Sequence, residues 1–302
     1  MQPLQPSAPP RRASKHRLRH WWRQNRPLTT LLLLLIAAIM LLPIVFTFLY
    51  SFFPKSEISA YLGQRGSFDA ERWMDVLFSP ALVSLRQYYT ILIEEPQYLQ
   101  LFCNSLLYSA AVLLGQMLIL PLTAYGLSRF VFRGRDTLFF LVLVLMILPF
   151  QVTMAPSVMT LRALGLLGTP WAIILPLWFS PFYRFLLRQF MIAIPNEVLE
   201  AGMMDGAGTF RCFLHVTVPV CRPILCAAAA LSFADTWNMV EQPLVYLDNQ
   251  SLQPVSVMFT RMSEESASVA FAGAALYLLP MLLVYLYFQD DILLGVQLSE
   301  LK

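Results

Sequence analysis

The chain has 302 residues, 58% of them hydrophobic and 13% charged, and a net charge of +3. Soluble domains carry about 25% charged residues, so a surface facing water on all sides is excluded, and a charge this small gives no ground for a nucleic-acid partner. The four cysteines, Cys103, Cys212, Cys221 and Cys226, follow no zinc spacing and read as small apolar fillers with free thiols.

In chain order, residues 1–27 form a basic tail carrying Arg11, Arg12, Lys15, Arg17, Arg19, Arg23 and Arg26. The apolar run 28–53 follows. It is too long for the core of a cleavable signal and ends in Tyr50-Ser51-Phe52-Phe53-Pro54 rather than a small-residue cleavage site. A retained spanning helix is expected, and the same objection meets a twin-arginine signal at Arg11-Arg12. Residues 54–102 mix charges with Trp73, Tyr88, Tyr89 and Tyr98, which suits an extracytoplasmic, interfacial segment.

The core, residues 103–290, holds further candidate spans at 103–128, 137–160, 170–190, 217–240 and 268–288. Each is near the ~20 residues that cross a bilayer core at roughly 1.5 Å per residue. Backbone groups in lipid must be satisfied internally, so the spans are helices and the fold class is an all-α membrane protein with six transmembrane helices. Pro149, Pro156, Pro176 and Pro181 each remove a backbone donor and predict kinks in the third and fourth spans. The outer segment 241–267 is polar and contains Glu264-Glu265, and residues 291–302 form a second cytoplasmic tail.

The lysines and arginines orient the bundle. With the N-terminus inside, the cytoplasmic side holds the basic tail together with Arg129, Arg133, Arg135, Arg184, Arg188, Arg211, Arg222 and Lys302. The outer side holds Lys55, Arg65, Arg72, Arg86, Arg162 and Arg261. The excess comes mainly from the tail, and both termini are expected in the cytoplasm.

The most informative stretch is the loop 194–215 between the fourth and fifth spans. Pro195 stops the preceding helix, Asn196 is placed to cap a new one, and Glu197 and Glu200 favour its dipole in the first turns. Asp205-Gly206 predicts a turn, because glycine tolerates positive φ, and Thr209 is placed to cap a second helix leading through Pro219 into the membrane. Small Ala201 and Gly202 would let another surface approach the backbone. A docking helix and an ordinary amphipathic loop both fit these local features.

The spacing in this loop resembles the EAA loop of ABC importer permeases. Glu200-Ala201-Gly202 is followed by three residues and Gly206, and nine residues later by Val216-Thr217-Val218-Pro219. Gly202 replaces the second alanine of the motif, and valines replace its isoleucine and leucine. Neighbouring segments resemble the sugar and glycerol-phosphate branch, a maltose-type second permease half. They are Asn104-Ser105, Ala124-Tyr125-Gly126-Leu127-Ser128-Arg129, Pro149-Phe150-Gln151-Val152, Leu187-Arg188-Gln189-Phe190, Trp237-Asn238, Pro280 and Gln289. The Asp290-Asp291 ending departs from the family's more basic tail.

This resemblance implies a type I ABC importer fold whose loop carries a coupling helix, with Glu197, Glu200, Ala201, Gly202, Asp205, Gly206 and Ala207 contacting a separate ATPase. A phosphate-binding loop needs Gly followed by Lys. The lysines here, Lys15, Lys55 and Lys302, follow Ser14, Pro54 and Leu301. ATP and Mg are therefore expected on a partner chain, with no cofactor or metal in this one. Further expected partners are a sibling permease, two ATPases in all, an extracytoplasmic solute-binding protein, membrane lipid and a carbohydrate-like solute. The setting is a bacterial inner membrane.

For the solute path, Asp235 is the clearest intramembrane carboxylate, costly in lipid by about 2.5–3.5 kcal/mol on insertion scales. With Trp237, Asn238, Glu241 and Gln242 it fits an outer vestibule, where an indole stacks on a sugar ring and amides meet hydroxyls. Trp237 equally fits an interfacial belt, with Asp235 facing headgroups. Gln151, beside Pro149, is a second pore candidate. A polytopic membrane enzyme would need a polar constellation at one interface, and none is evident. A secondary transporter would have little beyond Asp235 to couple ions. His16, His20 and His215 form no catalytic cluster.

Overall fold

A computed structural model describes residues 26–63, 80, 82–263 and 266–300. Residues 1–25 of the basic tail, Arg65, Arg72, Trp73, Glu264, Glu265 and Lys302 lie outside these. The described residues form helices and connecting turns, with no strand among them.

The first helix, α1 (Arg26–Tyr50), is apolar on all sides and its face is almost entirely exposed within the chain. Such a helix buries its surface only against lipid or other chains. Pro43 lies inside it, and the Thr47 hydroxyl donates to the Pro43 carbonyl at 2.8 Å. Residues 51–53, expected within the span, form a turn that docks Tyr50 edge-on against Phe53. Short helices α2 (Lys55–Gly63) and α3 (Arg86–Tyr89, prolonged by a π turn Thr90–Glu94) follow.

Helix α4 (Pro96–Arg129) begins within the segment expected to be extracytoplasmic. Pro96 explains the early start, since proline is pre-organised for the first helical turn and lacks the amide that would be orphaned there. At about 1.5 Å per residue its 34 residues overshoot a bilayer core. It is the spine of the bundle, and three buried clusters succeed one another along it. Tyr98 and Leu101 join Ile91 and Val255; Tyr108 and Val112 join Leu161, Ile173 and Tyr246; Leu120, Ala124 and Tyr125 join Leu187, Met191, Phe213 and Ile224.

The third expected span is broken. Helices α5 (Arg135–Ile147) and α6 (Phe150–Ala163) meet at 111°, a far larger change than a kink. Leu148 precedes a proline and is forced out of helical geometry, to ψ 124°, with Pro149 also extended. Pro156, by contrast, is accommodated inside α6. The fourth expected span divides into α7 (Trp171–Trp178) and α8 (Pro181–Ala193), with Pro176 tolerated and Pro181 starting the second piece. Trp178 fills the space left by the missing side chain of Gly115, where a Cβ would sit 2.0 Å from the indole, and its Nε1 donates to Ala111 O at 3.0 Å.

The loop contains α9 (Asn196–Met204) and α10 (Thr209–Val220), which meets α11 (Arg222–Trp237) at 71°. Two short helices, α12 (Glu241–Tyr246) and α13 (Val255–Phe259), lead to α14 (Ala267–Glu300). The helix continues through residues 291–300, where a separate tail was expected. Among the described residues three helices are long and apolar enough to cross a membrane, or up to five if each bent pair is one span.

Candidate functional site

Helix α9 and its turn form a bracket with one exposed face. Leu199 is buried and anchors the helix, while Glu197, Glu200, Ala201, Asp205 and Gly206 are exposed. The helix ends in a Schellman turn: Gly206 N–H donates to Met203 O at 3.0 Å and Ala207 N–H to Gly202 O at 3.1 Å. That closure requires the left-handed backbone of Gly206, at φ +82°. Ala207 is half-buried beneath it, with the Cys212 thiol against its carbonyl.

Two expected caps are not formed. Asn196 is the first helical residue rather than the cap, and its side-chain oxygen accepts from Arg129. Thr209 likewise begins α10 after Gly208 and makes no capping bond. Gly202 is not part of the open face. A Cβ there would sit 3.3 Å from Cys212 Sγ and 3.6 Å from Val216 Cγ2, so its small size serves packing of α9 on α10.

The exposed surface also contains residues that sequence reasoning missed. Val198, Met203, Met204 and Phe210 are all open, Met204 to 87%. They give the bracket an apolar and acidic face rather than a merely polar one. The Met203-Met204 pair directly before the predicted Asp205-Gly206 turn was the available signal, since thioethers are adaptable contact groups.

The second set of candidates lies at the junction of α6, α8, α11 and α12. Gln151 Nε2 donates to both carboxylate oxygens of Glu241, at 3.1 Å each, across 90 residues of sequence. Asp235 is exposed on α11 and accepts a hydrogen bond from the Tyr183 hydroxyl of α8. Asn238, one turn further on, accepts from the Tyr277 hydroxyl at 2.8 Å. Gln242 is half-buried. Tyr183 and Tyr277 were not anticipated, because nothing local marks which tyrosine a distant helix will deliver.

Trp237 departs from the expectation of a sugar-stacking wall. It is 0% exposed, enclosed by Phe102, Phe233 and Tyr277 with ring centroids 5.2–5.5 Å away. Its Nε1 donates to Tyr277 O at 3.2 Å, so both faces and its one donor are occupied. An interfacial belt position is ruled out on the same ground. Two clefts, of about 300 and 440 Å³, lie between α3, the start of α14 and the segments around Gln250 and Lys55, and include none of these candidates. Among the described residues no group of three His, Cys, Asp or Glu could hold a metal, and the four cysteines are free thiols.

Comparison with known proteins gives this geometry a context. The chain is 25% identical to the arabinooligosaccharides transport system permease protein AraQ of Halalkalibacterium halodurans, over 87% of this chain and 92% of that one. It is 32% identical to the probable ABC transporter permease protein YurM of Bacillus subtilis, over 67% and 69%. Among solved structures, a bacterial ABC transporter importing the acidic polysaccharide alginate has a chain of the same fold, with TM-score 0.74 at 23% identity, covering 89% of this chain and 96% of that one. Residues 117–290, which contain both candidate regions, match the family of binding-protein-dependent transport system inner membrane components. The chain belongs to that family, as a helical permease subunit of an ABC importer.

Proposed function

We propose that this chain is one half of a permease pair, that α9 is its coupling helix, and that the pair imports a carbohydrate powered by ATPases on separate chains. The observation that carries the coupling role is the bracket itself. A nine-residue helix, closed by a Schellman turn and anchored by Leu199, presents Val198, Ala201, Met204, Glu197 and Glu200, all exposed among the described residues. In this reading α7–α8 joins the five units α1, α4, α5–α6, α10–α11 and α14 as a sixth span, and with both termini in the cytoplasm the bracket lies on the inner side. The excess of Lys and Arg on that side supports the orientation.

In this reading two ATPases bind ATP and Mg beneath the pair and a solute-binding protein delivers cargo from outside. The carbohydrate class is supported by AraQ, named for arabinooligosaccharides, and by the alginate importer. Gln151, Asp235, Asn238 and Glu241 contribute polar lining on the face that meets the sibling permease, with buried Tyr183 holding Asp235 from behind. A single cysteine at Ala201 should cross-link to the cognate ATPase in the assembled transporter. Absence of that product, or a Glu200→Lys chain with full ATPase stimulation and uptake, would sink the coupling assignment.

A further inference from the structure

A coupling helix needs a stiff route into the bundle, and the covalent route is soft. Ile194 and Pro195 join α8 to α9 in extended conformation, with ψ of 125° and 141°, so the helical hydrogen-bond ladder does not run across the joint. A side-chain route runs beside it. Arg129, the last residue of α4, donates Nη1 to Asn196 Oδ1 at 2.5 Å and Nη2 to Met191 O at 2.6 Å and Ile194 O at 2.7 Å. One guanidinium thus holds the last turn of α8, the extended joint and the first residue of α9.

The contact is reciprocated. Arg188 of α8 donates Nε to Leu127 O of α4 at 3.1 Å, and its guanidinium lies 3.6 Å over the Phe139 ring of α5. Helices α4 and α8 therefore end side by side, each with orphan carbonyls and a partial negative charge. Each places an arginine on the other's carbonyls. A cation is disfavoured at the N-terminus of α9, which is why the neutral amide oxygen of Asn196 matters as acceptor there. A lysine could not replace Arg129, since one ammonium lacks the planar fork that reaches three acceptors.

We infer that Arg129 is the positioning residue that locks α9 to α4, so that a push on α9 moves α4 and α8 as one body. This rests on α9 being the ATPase contact. Loss of one charge-assisted hydrogen bond shifts a held-to-released equilibrium by about tenfold or more, so released α9 would absorb the motion in its own joint.

The test uses the complete transporter in lipid nanodiscs, with spin labels at exposed Leu118 of α4 and Leu283 of α14. The readout is the change in their distance between the nucleotide-free and ATP-vanadate states. Arg129→Ala and Arg129→Lys should assemble and hydrolyse ATP while the distance change falls to about half or less of the native amplitude. Asn196→Leu should show the same loss and Asn196→Asp should retain the native change, a rescue that a purely structural role would not produce. Native amplitude in Arg129→Ala overturns the inference. If Arg129→Ala fails to assemble, the Asn196 pair decides, and equal amplitudes in its two members overturn it. Cross-linking of a cysteine at Ala201 to the ATPase, run in parallel, separates failure of this lock from failure of the coupling assignment.

Discussion

The bracket at 196–207 and the polar junction around Asp235 are built on opposite principles. The bracket keeps its outer side chains exposed: its backbone closes on itself through Gly206, and Leu199, Gly202 and the Arg129 contact to Asn196 hold it from the inner side. The junction consumes its polar groups in pairs, Gln151 with Glu241, Tyr183 with Asp235 and Asn238 with Tyr277. A surface built to meet a protein partner leaves side chains uncommitted, whereas polar groups facing lipid or a low-dielectric path must be satisfied when no solute is present.

The largest effect that tests this contrast is at Trp237. Replacing this enclosed indole by alanine should destabilise the permease by about 3–5 kcal/mol, read as a lowered unfolding temperature of the detergent-solubilised protein. An unchanged unfolding temperature with weakened uptake would instead restore Trp237 to the solute path. Next is Gly206→Val, where a β-branched residue is forced to φ +82°, at a cost of about 1–2 kcal/mol. The membrane bundle should keep its unfolding temperature while ATP hydrolysis no longer drives uptake.

Smaller still is Gln151→Leu, which frees the Glu241 carboxylate at an exposed site and should change stability by about 1 kcal/mol or less. Its signature is a raised KM for uptake at unchanged ATPase rate. Equal uptake kinetics would remove Gln151 from the path. The smallest effect is expected at Gly202→Ala, whose new Cβ meets Cys212 Sγ at 3.3 Å. The thiol must give way by a few tenths of an ångström, so coupling should fall slightly, by less than about 1 kcal/mol in stability. A complete loss of ATPase contact from this variant would show that Gly202 faces the partner after all.

Much of the bracket was legible because its information is local. Pro195, the Asp205-Gly206 turn and the carboxylates of the first turns act within a few residues of themselves. The Asn196 cap was misplaced because its side-chain oxygen accepts instead from Arg129, 67 residues away. Proline was legible as a breaker but not in degree. Pro149 caps the start of α6 at the 111° break, while Pro156 stays within that helix, and residue type alone does not distinguish the two.

The sequence by itself determined the solvent of this protein, its helical class and the position of its exposed helix–turn loop, because apolar run length, backbone satisfaction and turn chemistry are near-neighbour properties. Tertiary structure alone decided that Trp237 is core, that Gly202 packs inward and that two arginines clasp the ends of α4 and α8. Each of those outcomes depends on which distant helix supplies the neighbouring atoms, and side-chain type does not encode the identity of a partner many residues away.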